Sequence, residues 1–169
     1  MELHIYSHST PKSFYENGCQ FLEAAWRCFG GKEGNVVQNG KIIILPAPTV
    51  VNASFACEMF FKALVLFENK TYKKGYEGHN LKNLFLSLDT GTKQKISSFC
   101  MPTNSKDPYD SFLNLLDIHS TDFAEKRYYI ENSGWTAMSP MTMITIAQNL
   151  SVVTNNLLSN NATGGNKNG

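Results

Sequence analysis

Glu58, Lys62, His79, Arg127 and Glu131 are the side chains whose types and spacing suit proton transfer or phosphate binding. A histidine titrates near neutral pH and can give or take a proton. A guanidinium meets a phosphate with two hydrogen bonds. Glu58 and Lys62 are four apart, as are Arg127 and Glu131, so each pair shares a face if its segment is helical. Glu58 precedes Lys62, the favourable order for an ion pair along a helix. Joined by Tyr128, these residues form a polar cluster with two readings. One is a binding site, with His79 and Arg127 as the candidate catalytic pair. The other is a buried network that holds helices together and does nothing else. Glu58 and Lys62 also have a plainer reading as an exposed pair. In the structural reading His79 caps a helix and hydrogen-bonds Glu58 or a nearby carbonyl, and His119 is structural or exposed. Lys70, Lys73 and Lys74 are the one basic cluster of the chain and the candidate phosphate contacts if RNA binds. Read plainly, they belong to a solvated loop that needs no partner.

The elements that must position these residues read as helices. From Thr49 to Glu68 there is no Gly or Pro, and Val51, Phe55, Met59, Ala63, Leu66 and Phe67 recur at helical spacing. Val50, Phe60, Phe61, Leu64 and Val65 widen that face until little polar surface remains, which predicts a central helix packed by several others. Pro48 suits its first turn. Before it, Thr10 caps and Pro11 opens a helix to about Phe29, with Phe14, Phe21, Leu22, Ala25, Trp26 and Phe29 inward, Gly18 as a local weakness, and Gly30-Gly31 as the stop. Lys41 to Pro46 reads as an extended segment laid on the bundle or used between subunits, because no second strand stands out to pair with it.

After the central helix, His79 to Leu88 reads as a helix and Thr92 to Cys100 as another, anchored by Ile96, Phe99 and Cys100. Pro108 opens one that continues to about Glu131, with a kink near His119. Ser139-Pro140 opens the last, which runs to about Leu158. The sum is an all-α antiparallel bundle of about four long helices and one or two short ones. It forms one domain over residues 1–158, with a disordered Asn/Gly-rich tail at 159–169.

Pro48, then Ser54-Phe55-Ala56-Cys57-Glu58-Met59-Phe60-Phe61-Lys62-Ala63-Leu64, then Gly78-His79-Asn80-Leu81-Lys82-Asn83-Leu84-Phe85, then Phe123-Ala124-Glu125-Lys126-Arg127-Tyr128-Tyr129-Ile130-Glu131 resemble the HEPN superfamily of helical domains. The likeness is to the branch with a Glu-x-x-x-Lys-Ala-Leu helix, a Gly-His-(Asp/Asn)-Leu helix start and an Arg-Tyr-x-x-Glu segment. The resemblance implies a dimer and a toxin–antitoxin, defence or stress setting. Active members carry an Arg, then four to six residues, then a His, and cleave RNA without a metal. Here Asn132, Ser133 and Gly134 stand at those offsets from Arg127, and Lys32, Glu33 and Gly34 from Arg27; these are the two arginines of the chain. The family's catalytic signature is absent.

Composition narrows the function classes. A net charge of +1 is not the strongly basic balance of a dedicated nucleic-acid binder, so RNA would have to be met locally or in the cleft of an oligomer. Cys19, Cys28, Cys57 and Cys100 show no Cys-x-x-Cys spacing, which argues against a metal site and, with no secretory signal, for cytoplasmic thiols. No stretch reads as long enough to span a membrane. No cofactor is expected. The resulting expectation is a non-catalytic or atypical HEPN-like domain, homodimeric, binding RNA, a nucleotide or a partner protein. The alternatives are a ribonuclease using Arg127 and His79, which requires the two within about 6 Å or across a dimer cleft, and a structural dimerisation module with an apolar patch at Ile42 to Leu45 with Trp135.

Overall fold

A helix with apolar residues on every side needs neighbours on every side, and the bundle is built around one. The computed structural model describes residues 10–30, 36–38, 41–43, 45–69, 80–119 and 139–164. These form an all-α bundle of six helices with one short hairpin: α1 (Pro11–Cys28), β1 (Val36–Gln38), β2 (Lys41–Ile43), α2 (Pro46–Asn69), α3 (Leu81–Leu86), α4 (Thr90–Cys100), α5 (Pro108–Ile118) and α6 (Pro140–Gly164). α2 packs on α1, α3 and α6; α4 packs on α5 and α6; α3 leans on α5. Ala53, Ala56, Cys57, Phe60, Phe61, Ala63, Leu64 and Val65 of α2 are fully buried. Burial of each large side chain is worth about 1.5–3 kcal/mol.

α2 corrects one expectation. Pro46–Glu68 is long and apolar enough to cross a membrane by length and composition, but 72% of its apolar window lies inside the protein, as for a core helix. The helix also starts earlier than expected. Pro46 and Pro48 both fit a first turn whose N–H groups would lack helical partners anyway, and Thr49 closes it by donating its N–H to Leu45 O at 3.0 Å.

α1 begins at a reciprocal cap: Thr10 Oγ1 accepts from Ser13 N at 3.0 Å, and Ser13 Oγ accepts from Thr10 N at 2.8 Å. It ends at Gly30, whose φ of 113° is left-handed backbone that favours glycine. α1 and α2 run antiparallel, since Cys28 meets Asn52, Phe21 meets Phe55, and Tyr15 meets Phe60. Gly18, read from sequence as a weakness, is a packing requirement. A Cβ there would stand 2.6 Å from Phe60 Cε1, and Phe60 is fully buried.

The connection between them holds the second strand that the sequence reading missed. Val36 pairs with Ile43, Val37 with Ile42 and Gln38 with Lys41, antiparallel. Asn39-Gly40 between them is a strong sequence signal for a two-residue hairpin. The segment from Lys41 is therefore a hairpin strand, and the Trp135 half of the postulated apolar patch lies outside the described residues.

α3 starts at Leu81 with Asn80 as its cap: Asn80 Oδ1 accepts from Asn83 N at 2.9 Å. An amide oxygen on a short side chain reaches the first-turn N–H groups well. Asn80→Ala is expected to cost about 1 kcal/mol, read as a lower urea midpoint with an unchanged slope. Lys82 on α3 pairs with Asp117 on α5 at 2.8 Å, and Glu68 at the end of α2 accepts from Asp89 N at 2.8 Å, just before α4. Phe85 joins the layers, with ring centroids 5.2 Å from Phe112, 5.7 Å from Tyr109 and 6.1 Å from Phe61.

Two further expectations change. Phe99 is not a core anchor: it is 49% exposed, while Ile96 and Ser97 face inward. Positions 96, 97 and 100 make the inner stripe of α4, and 99 falls at its edge. α6 runs to Gly164, beyond Leu158, since Ser159 to Thr163 contains no Gly or Pro and each added residue gains a helical bond. The rest of the postulated tail, 165–169, lies outside the described residues, as does the stretch expected to carry α5 on to Glu131.

Candidate functional site: a buried ion pair on the central helix

Glu58 and Lys62 sit one turn apart in the middle of α2, and the structure brings them together. Lys62 Nζ lies 2.7 Å from Glu58 Oε1. The Glu58 side chain is 0% exposed and that of Lys62 10%, which excludes the solvent-exposed pair considered from sequence. The reason is the helix itself. With α1, α3 and α6 packed around α2, most residues in its middle are cut off from water. An ion pair in such a place faces a desolvation penalty of several kcal/mol per ion, offset by mutual attraction at short range.

Ser54 is four residues before Glu58 and is also fully buried. Ser54, Glu58 and Lys62 therefore make one polar stripe along an apolar helix. Ser54 Oγ and, on α6, Thr154 Oγ1 have no hydrogen-bond partner among the described residues. The sequence reading missed Ser54 as a member of the stripe; its signal was the repeat of four from Ser54 through Glu58 to Lys62.

The other candidates divide plainly. His79, Arg127, Tyr128, Glu131, Lys70, Lys73 and Lys74 lie outside the described residues. His119 is described. It closes α5, donating its N–H to Leu115 O at 3.3 Å, and it is buried, not exposed. Arg27 pairs with Glu23 at 2.9 Å on the open face of α1. Among the described residues no three His, Cys, Asp or Glu side chains group as metal ligands would.

The cysteines form no disulfide. Burial pushes the Cys57 thiol well up, with Cys100 adding to the effect, and pushes Cys100 up to about 12. Cys28 is also raised by burial, against the opposing hydrogen bond from Asn52. Such thiols are protonated at neutral pH and make poor nucleophiles. Tyr15 is pushed up to about 12 by burial first, then by its hydrogen bond with Cys19 and the charge there.

The Glu58 carboxylate is shut away from water, with the Lys62 ammonium 2.7 Å away. That arrangement suits scaffold better than proton transfer to an incoming substrate. No protein-family model, no curated protein and no solved structure matches the chain.

Proposed function

We propose that this chain is a HEPN-like helical domain that acts by binding and does not cut RNA. The observation that carries this reading is the Glu58–Lys62 ion pair. Glu-x-x-x-Lys is the polar core of the first motif, and here its two charges face each other at 2.7 Å inside the bundle. Burial of both charges supports a structural role over contact with a substrate. The missing Arg-x4-6-His spacing around both arginines points the same way. In this reading the protein is a cytoplasmic homodimer, and its ligand is RNA, a nucleotide or a partner protein in a toxin–antitoxin, defence or stress system. If the ligand is RNA, Lys70, Lys73 and Lys74 supply the phosphate contacts, and affinity falls with added salt.

The test is RNA cleavage by the purified full chain in EDTA, beside Arg127→Ala and His79→Ala, each variant checked for folding by circular dichroism. The expected result is no cleavage above buffer for any of the three. Cleavage by wild type that both folded variants lose would overturn the binding reading and make Arg127 and His79 a ribonuclease pair. Sedimentation at micromolar concentration tests the assembly: a dimer mass is expected, and a monomer would remove the homodimer from the proposal.

A further inference from the structure

Among the described residues, the sheet of β1 and β2 stops after two strands, and no helix packs along either of them. Its base is tied to the bundle at one point, where Leu45 donates its N–H to Cys28 O at 2.8 Å, at the end of α1. A lone two-stranded hairpin is marginally stable in water; further strands, or a packed face, are what make one persist. The composition here favours further strands. Val36, Val37, Ile42 and Ile43 are β-branched, Lys41 is the one charge of the two strands, and neither strand holds Pro or Gly. The register sets Val37 opposite Ile42 on one face of the sheet, and Val36 opposite Ile43 on the other. The hairpin therefore carries an apolar pair on each face, more than one packed face can account for.

We propose that the outer edge of β2 pairs antiparallel with the same edge of a second copy, so that two hairpins form one four-stranded sheet across the dimer axis. The inference rests on the homodimer reading above and names the surface that carries it. An open strand edge presents N–H and C=O groups in the spacing that another strand matches, so the occupant is a strand. Two arguments make that strand a second copy. Antiparallel pairing of identical segments is two-fold symmetric, so one edge serves both chains and the assembly closes at two. Charge agrees with it. Centred on Ile42, the register sets Ile42 against Ile42, and Lys41 against Ile43 of the other copy, which keeps the two Lys41 ammonium groups from facing each other. One face of the sheet then reads Val37, Ile42, Ile42, Val37 across its four strands. These are β-branched cross-strand neighbours throughout, the pairs that stabilise a sheet.

The experiment is sedimentation of the full chain as wild type, as Ile42→Lys, as Ile42→Glu, and as an equimolar mixture of the two variants. Ile42 lies in the hairpin, outside the six helices, so circular dichroism should show unchanged helix content in both variants. Wild type is expected to sediment as a dimer. Each variant alone sets like charges against each other at the axis and should weaken the dimer by about 10-fold or more. The mixture should recover the dimer, because Lys then faces Glu; a folding defect would not be cured by mixing. A dimer equally strong in wild type and both variants would overturn the inference and leave the homodimer standing on another surface. Loss of the dimer in each variant without recovery on mixing would place position 42 away from the axis and overturn the pairing. A monomeric wild type would remove the homodimer and this inference together.

Discussion

Lys62→Met is expected to destabilise the protein by about 3–5 kcal/mol, the usual penalty when one partner of a buried ion pair is removed. The substitution nearly preserves side-chain length and apolar volume, so packing changes little. What it removes is the ammonium 2.7 Å from a carboxylate with no solvent exposure. Glu58→Leu should cost a similar amount for the mirror-image reason. The informative variant is the double replacement, Glu58→Leu with Lys62→Met. If the pair is scaffold, removing both charges together recovers most of the loss and ends near wild type, or above it, because neither ion need then be desolvated. Urea unfolding followed by circular dichroism gives all four corners of the cycle. A double variant as unstable as the sum of the singles would show that each charge serves a separate partner, and the pair would no longer count as a self-contained unit.

Gly18→Val is expected to destabilise by about 3 kcal/mol, and Gly18→Ala by about 1–2 kcal/mol, at the contact between α1 and α2. Helix propensity alone argues the opposite, since Ala is better than Gly by about 1 kcal/mol in a helix interior. Sterics decide the sign. The new Cβ would stand 2.6 Å from Phe60 Cε1 and 2.8 Å from Phe60 Cδ1, and the ring is enclosed, with Tyr15 5.7 Å away between centroids. A smaller residue at 60 should relieve the clash, so Gly18→Ala is expected to be less harmful in a Phe60→Leu background than in wild type. Gly91 provides the control: nothing lies within 4 Å of a Cβ there, and Gly91→Ala should stabilise by up to about 1 kcal/mol. Thermal unfolding of these variants, with Phe60→Leu as the reference for the double, separates propensity from contact. A stabilising Gly18→Ala would mean that the two helices can move apart cheaply.

The contrast between these two glycines shows how much was legible beforehand. Both lie in helices, although the sequence reading begins the second of these only at Thr92, and propensity alone disfavours glycine at either place. Whether Phe60 lies over one of them depends on a residue 42 positions away, and no local pattern encodes that. Phe99 makes the same point in reverse. It is aromatic and three residues from a buried Ile96, so an inward reading was reasonable, yet it falls at the edge of the stripe set by Ile96 and Ser97 and is half exposed. The strand Val36–Gln38 was overlooked because three residues are too few for periodicity to register, although Asn39-Gly40 marked the turn.

Chemistry acting within about four residues was enough to place most of the helices and to define the all-α class. Thr10-Pro11, Pro108 and Ser139-Pro140 announce helix starts, Gly30 announces a stop, and the apolar run through α2 announces a central helix. Caps, backbone preferences and helical spacing are short-range effects, so they can be read along the chain. The meaning of Glu58 and Lys62 could not be read that way. Their spacing permits either an exposed pair worth a few tenths of a kcal/mol or a buried one that costs several kcal/mol to break from one side. The choice belongs to α1, α3 and α6, which converge on α2 from distant parts of the chain and close off the water that would otherwise have dissolved the difference.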